Sequence, residues 1–345
     1  MGAQGSTALI KVASNPRCTR LVAMVQSGLS EPNFYRALTG EPYDREFGER
    51  VSARRRGYKF EDNLFGNGAA RLRTAVAEVV GLDPAEMYVR DLTAELPGVQ
   101  ELAKARRFSR TRSILQGEVL PHVIVKPQLR ATVAGLPGNG VWIEPDFIVR
   151  DHMTGCYLPG DAKSFVVDDN RVEPGDLRRV RLQMGAQVVA LRELIAQVGL
   201  PTPPAEGFAV FASPYGLDPH PAMRQDLAGA VHDIARAVEA IEGHAHLIAA
   251  AQQPEGAALH IVAPDLPASF EDSCISGCVL ANYCRAAHTG TARDLGDQVV
   301  AALGGAARLD RVAQLLNGAE PTSPEEAALQ ARLQASASVI GARVA

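Results

Sequence analysis

Three cysteines fall within eleven residues: Cys274, Cys278 and Cys284, in the run DSCISGCVLANYCR. Thiolates this close repel one another unless a cation holds them, so the run reads as part of a metal site. A fourth cysteine, Cys18, lies more than 250 residues earlier, in SNPRCTR. Between them, WIEPDFIVRDHMTGCYLPGDAKS carries Asp146 and then Asp161-Ala-Lys163. Carboxylates are the hard oxygen ligands that Mg²⁺ and Mn²⁺ take. Strand side chains alternate, so Lys163 shares a face with Asp161. An ammonium there can orient or help deprotonate an attacking water, or stabilise charge growing on a phosphate. The chain has only five lysines (Lys11, Lys59, Lys104, Lys126 and Lys163), so each one is informative.

The elements that must position these residues follow from period and punctuation. Residues 1–50 read as mainly helical, and 51–80 as one long helix or two short ones, rich in arginine. MYVRDL and HVIVKP are strand-like, with a basic segment between them. From 129 to 170 the β-rich runs LRATVAG, VWIEPDFIVRD and GCYLPGDAKSFVV are broken by Gly and Pro, as in an antiparallel meander. Residues 176–199 return to a helical period closed by Gly199 and Pro201. GFAVFAS reads as a buried strand, and 221–251 as a long alanine-rich helix. The order helix, three strands, helix, strand gives a mixed α/β core. The expected divisions are an N-terminal helical segment 1–50, a core 51–260, a cysteine segment 261–290 and a helical tail 291–345.

At 345 residues, 46% apolar, the chain can build one large core or two modest ones. Its net charge of −4 advertises no global affinity for nucleic acid, so any such surface must be local. Two stretches qualify. ERVSARRRGYK carries Arg54, Arg55 and Arg56, and KARRFSRTR carries Arg106, Arg107 and Arg110 beside Phe108, which could stack on an unpaired base. The opening residues lack the apolar stretch of a leader, and no run approaches about 18 uncharged apolar residues. A cytoplasmic location without membrane contact is expected, where clustered cysteines are metal ligands before they are disulfides. Cys156 and Trp142 read as buried packing residues.

The acidic motif, taken with its surroundings, resembles the PD-(D/E)xK nucleases of the RecB type. Those show Gly-x-x-x-[His/Glu] on a helix, then Asp, then [Asp/Glu]-x-Lys, then a Gln-x-x-x-Tyr helix. The matching positions here are Gly57 with Glu61, Asp146, Asp161 with Lys163, and Gln183. The motif tyrosine is replaced by Gln187. The resemblance implies a restriction-endonuclease-like core, a mixed sheet flanked by helices, and metal-dependent DNA cleavage. Glu61, Asp146 and Asp161 would ligate Mg²⁺ or Mn²⁺, Lys163 would act on water or phosphate, and Gln183 would support the site. Single-stranded DNA or DNA ends, processed by an exonuclease, are the family's common substrate. Its settings are prokaryotic recombination, repair or defence against foreign DNA, often beside a helicase or an integrase.

Members with iron–sulfur clusters include the CRISPR-adaptation exonucleases and AddB. They take one cysteine before the nuclease core and three after it. Cys18 with Cys274, Cys278 and Cys284 matches that split, which implies a [4Fe–4S] cluster on four thiolates. The first gap in the run is three residues where the family usually has two. A zinc site remains open, because Cys274, Cys278, Cys284 and His288 form a Cys₃His set. Two other readings also stand: a DNA-binding scaffold subunit with weak catalysis, and a zinc-stabilised nucleic-acid-binding protein.

Overall fold

The structure is a computed structural model and describes residues 6–43, 51–96, 101–167, 172–213, 216–247, 259–270, 274, 278–281, 283–284, 301–303 and 308–339. In chain order its elements begin with α1 (Ser6–Ser14), α2 (Thr19–Gln26), α3 (Glu31–Thr39) and α4 (Val51–Val80). Then come β1 (Val89–Asp91), α5 (Leu92–Glu95), α6 (Glu101–Leu115), β2 (Val123–Val125), β3 (Leu129–Thr132), β4 (Gly140–Ile143), β5 (Phe147–Arg150) and β6 (Tyr157–Val166). They continue with α7 (Pro174–Val198), β7 (Glu206–Ala212), β8 (Met223–Asp226), α8 (Ala228–Gly243), α9 (Leu259–Val262), α10 (Leu309–Leu316) and α11 (Pro324–Val339). Among the described residues, no helix is long and apolar enough to cross a membrane.

The chain divides into two compact units. The first is Met1–Ala13 with Gly48–Ala245, and the second is Ser14–Phe47 with His246–Ala345. The first unit is built on a six-stranded sheet in the order β1-β2-β5-β6-β7-β8. β1 and β2 are parallel, as are β6 and β7, and the other neighbours are antiparallel. The sheet is therefore mixed, and helices lie on both of its faces. Phe60, Leu64, Leu72 and Val76 of α4 pack on one face with Phe208 and Val210. Val180, Met184 and Val188 of α7 pack on the other with Ala209 and Phe211. Alternate residues of β7 thus face opposite helices, and a strand covered on both sides is apolar nearly throughout.

Two sequence expectations change in detail, and a third, left open between one long helix and two short ones, is decided. The meander over 129–170 splits: β3 and β4 form a separate two-stranded sheet, and only β5 and β6 join the large one. The helix expected over 221–251 is preceded by β8, antiparallel to β7, and α8 begins only at Ala228. The RQD segment has no helical apolar stripe, and its backbone satisfies an otherwise open sheet edge. Finally, α4 is two helices joined at a break. Gly66 has an extended ψ of 163°, and Asn67, Gly68 and Ala69 have φ of 51°, 64° and 59°. The break frees the Glu61 half to follow its own axis. At the other end of the site, α7 starts on the Glu173 cap, which accepts the Asp176 N–H, and ends at Gly199 with φ 75°.

Asp151 ties three strands together at one rim of the sheet. Its Oδ1 accepts the N–H groups of Met153 and Thr154, and its Oδ2 accepts Arg224 Nη2 at 2.6 Å. Arg224, on β8, also pairs with Glu206 of β7. Burial pushes the Asp151 carboxyl up, but Arg224 and the two N–H groups outweigh it, and the net shift is downward. A folded-state value below the unfolded one stabilises above the unfolded value of about 4 and is lost as pH falls through the folded one. Asp151→Asn is therefore expected to cost about 1–3 kcal/mol near neutral pH, with the difference closing in acid. Urea unfolding of both proteins across that range measures it, and equal stability near neutral pH would contradict it.

Candidate functional site

The carboxylate site starts from a strand register. β5 and β6 are antiparallel with Phe147 opposite Gly160, so Asp146 and Asp161, one step outward, face each other across the ladder. Residues so paired have Cβ atoms about 5 Å apart. The register depends on the partner glycine. A Cβ on Gly160 would lie 2.0 Å from Cε2 of the Phe147 ring. Only a residue without a side chain lets that fully buried ring lie over β6. Asp161 is buried completely and Asp146 nearly so.

Around this pair the chain collects four more side chains. Lys163 Nζ lies 2.7 Å from Asp161 Oδ2, on the face that strand alternation requires. Gln183, on α7, donates Nε2 to Asp161 Oδ1 at 2.9 Å. The Ala162 N–H donates to Asp146 Oδ2 at 2.7 Å. Lys126, just after β2, donates Nζ to Asp146 Oδ1 at 2.6 Å and to Glu61 Oε2 at 2.7 Å. Glu61 comes from the first half of α4, and Gly57 lies one turn before it. Glu61, Asp146, Asp161, Lys163 and Gln183 are thus brought to one place. Lys126 joins them without belonging to the resemblance motif, and the scarcity of lysines was the only sequence signal for it.

The electrostatics are those of buried anions answered by cations. Burial and the neighbouring Asp146 push Asp161 up, Lys163 pulls it down, and it settles at about 7. Asp146 is also pushed up by burial, but Lys126, Lys163 and the Ala162 N–H prevail and hold it low. Burial pulls both lysines down, yet the carboxylates outweigh it and both remain ammonium ions. Asp161 Oδ2 meets Lys163 as an ion pair but has no aligned hydrogen-bond donor, although it is buried. Carboxylates are the ligand type that a hard divalent cation takes. Among the described residues no three carboxylate, thiol or imidazole groups are drawn about one point as ligands of a single ion. At the carboxylates, the Lys126 ammonium stands between Glu61 and Asp146.

The cysteine site belongs to the second unit. Cys18, the N-cap residue of α2, lines one cavity of about 290 Å³, mouth included, together with Cys274, Cys278 and Cys284. Its other walls include Leu21, Phe270, Leu280 and Ala281. Two of the sulfurs receive hydrogen bonds: Asn15 Nδ2 donates to Cys274 at 3.5 Å and Arg20 Nη1 to Cys284 at 3.2 Å. The backbone near Ser269 and Leu21 favours ionisation of Cys18, and that near Leu280 favours ionisation of Cys278, against burial. Arg20 is itself buried, and its guanidinium also binds the carbonyls of Ala263, Pro264 and Leu266. It thereby fastens α2 to the segment leading into the cysteine run. Burial pushes Cys18 up to about 11 and Cys278 up to about 12, and it raises Cys284 against the pull of Arg20. Four sulfurs facing one pocket, with Cys18, Cys278 and Cys284 raised by burial, suit thiolates held by a positive group. His288, the alternative zinc ligand, lies outside the described residues.

A scan against protein-family models finds no match for this chain, and a search of curated proteins finds none. The reading of the two sites therefore rests on their residues and geometry.

The remaining expected residues divide. Gln187, at the tyrosine position, lies one turn from Gln183 on α7 and is buried, with neither amide atom hydrogen-bonded. Arg55 and Arg56 are exposed on α4, six and five residues before Glu61, while the Arg54 side chain lies outside the description. The three arginines of α6 differ in their settings. Arg107 is buried and pairs with Glu144 at 2.7 Å, while Arg110 pairs with Glu95 at the surface. Arg106 is exposed. Phe108 meets Trp142 edge to face with centroids 5.9 Å apart, so it packs the α6–hairpin contact. Trp142 is half-buried, and Arg130 covers its ring. Cys156 is a buried packing residue whose Sγ donates to the Thr202 carbonyl.

The Phe147–Gly160 contact makes a sharp expectation. Gly160→Ala should destabilise the first unit by about 1–3 kcal/mol through overpacking, and Phe147→Leu in the same chain should recover part of it. A denaturation double-mutant cycle reads this. An alanine variant as stable as the parent would show that the ring does not set the register.

Proposed function

We propose that the first unit is a metal-dependent DNA nuclease with a restriction-endonuclease-like PD-(D/E)xK core. The observation that carries this is convergence. Five motif residues spread from Glu61 to Gln183 meet at the ends of two adjacent strands, in the chemical order that phosphodiester hydrolysis needs. Glu61 Oε2, Asp146 Oδ1 and Asp161 Oδ2 would hold the ion. A bound Mg²⁺ or Mn²⁺ supplies a Lewis acid and lowers the pKa of a water for attack on phosphorus. Gln183 holds Asp161 by Oδ1 and so turns Oδ2 into the site. The Ala162 N–H holds Asp146 by Oδ2 in the same way and presents Oδ1. Lys163 keeps an ammonium beside Asp161, where it can donate to the attacking water or to the non-bridging oxygen that gains charge. Arg55 and Arg56 offer phosphate contacts near Glu61. The substrate class follows from the resemblance: single-stranded DNA or DNA ends, in recombination, repair or defence.

Lys163→Ala is expected to lower Mn²⁺-dependent cleavage of labelled single- and double-stranded DNA by about 100-fold or more while DNA binding persists. Undiminished cleavage by the pure variant would remove Lys163 from the chemistry. Binding without cleavage by the parent protein would leave the scaffold reading.

We propose further that Cys18, Cys274, Cys278 and Cys284 hold a [4Fe–4S] cluster that ties residues near 18 to residues near 280. The pocket lined by four sulfurs, with Asn15 donating to Cys274 and Arg20 to Cys284, supports it. Anaerobically prepared protein should be brown and contain about four iron and four sulfide per chain. Cys278→Ala should lose the iron and unfold more easily. Colourless protein with one zinc per chain would select the Cys₃His alternative.

A further inference from the structure

We infer that Lys126 is the resident counter-ion of the metal site and must leave Glu61 and Asp146 for the divalent ion to bind. This rests on the nuclease reading of the carboxylates and adds a residue that the motif does not contain. The geometry identifies the competition. Asp146 has one oxygen engaged by the Ala162 N–H, so Oδ1 is its open ligand atom, and Lys126 Nζ holds that atom at 2.6 Å. Glu61 has its Oε2 held by the same nitrogen at 2.7 Å. An ion bridging those two oxygens at about 2.1 Å would occupy the space of the ammonium. The two cannot share it.

The backbone explains how the lysine reaches the carboxylates. Lys126 has φ +50°, a left-handed conformation that a non-glycine residue adopts only under constraint. Its N–H donates to the Asp146 carbonyl at 2.9 Å, and its side chain reaches over Phe65 to the carboxylates. The segment is thus pinned at the backbone while the long side chain is free to swing on its own bonds. Charge gives the swing a direction. With Lys126 in place, three carboxylates face two ammonium groups. A divalent ion exchanged for Lys126 balances the carboxylates and Lys163, and the displaced ammonium, still tethered at the rim, meets the phosphate charge of a bound strand. Lys126 therefore both keeps the empty carboxylates from repelling one another and sets how much metal is needed to load them.

Lys126→Met keeps the stem and removes the charge. It is expected to bind Mn²⁺ at least about tenfold more tightly than the parent, because the competing cation is gone, and to gain more thermal stability from Mn²⁺. Titration of Mn²⁺ by electron paramagnetic resonance measures the first, and thermal denaturation the second. Parent-like or weaker Mn²⁺ affinity in the variant would overturn the inference. A second measurement needs no variant. Five lysines are easily resolved by mass spectrometry after reductive methylation, and Lys126 should become reactive when Mn²⁺ is added to the parent protein. Continued protection of Lys126 in Mn²⁺-loaded protein would also overturn it. Asp146→Asn separates the two levels. If Mn²⁺ binds that variant with the same affinity as the parent, the carboxylates are not the metal site, and the nuclease reading itself fails.

Discussion

Two carboxylates stand side by side inside a sheet, and the repulsion between them organises the first unit. Asp146 and Asp161 are opposed across β5 and β6 because Phe147 lies over Gly160 one residue away. Like charges placed directly opposite destabilise a strand pair, and burial multiplies the cost. Every neighbouring element answers that cost. β6 supplies Lys163, the start of β3's approach supplies Lys126, α7 supplies Gln183, and the break in α4 leaves Glu61 free to meet Lys126. The apolar core on each face buries the two aspartates while Glu61, Lys126 and Lys163 stay partly exposed.

The same problem recurs in the second unit with softer atoms. Four thiols line one cavity, and burial pushes the ionisation of Cys18, Cys278 and Cys284 upward. Donors from Asn15 and Arg20 are already aimed at Cys274 and Cys284. Arg20 does two things at once: it places a positive charge against Cys284 and binds three carbonyls that shape the approach to the cysteine run. A group that holds the four sulfurs therefore also holds together two segments far apart in the sequence.

Patterns with short periods were legible. The alternation in VWIEPDFIV and GDAKSF, the helical period closed by Gly199, and the apolar GFAVFAS all became the elements that carry or cover the carboxylates. Less legible was anything decided by a partner. The MRQD segment is a strand because β7 has an edge to fill. The arginines of KARRFSRTR look alike in sequence, yet Arg107 turns inward because Glu144 waits there, and Arg106 remains exposed. Phe108 had a candidate role on nucleic acid and instead packs on Trp142.

Taken alone, the sequence determined which residues could serve a metal site: two aspartates, a lysine two residues after one of them, and cysteines in a tight run, while Glu61 came only with the family resemblance. Those follow from side-chain type and strand period, which are local properties. Only the tertiary structure decided which of them meet, and with what charge. Lys126 is an unremarked residue of HVIVKP until a left-handed turn and a strand register place its ammonium between Glu61 and Asp146. Such an outcome depends on contacts between residues far apart in the chain, and no periodicity within a segment encodes them.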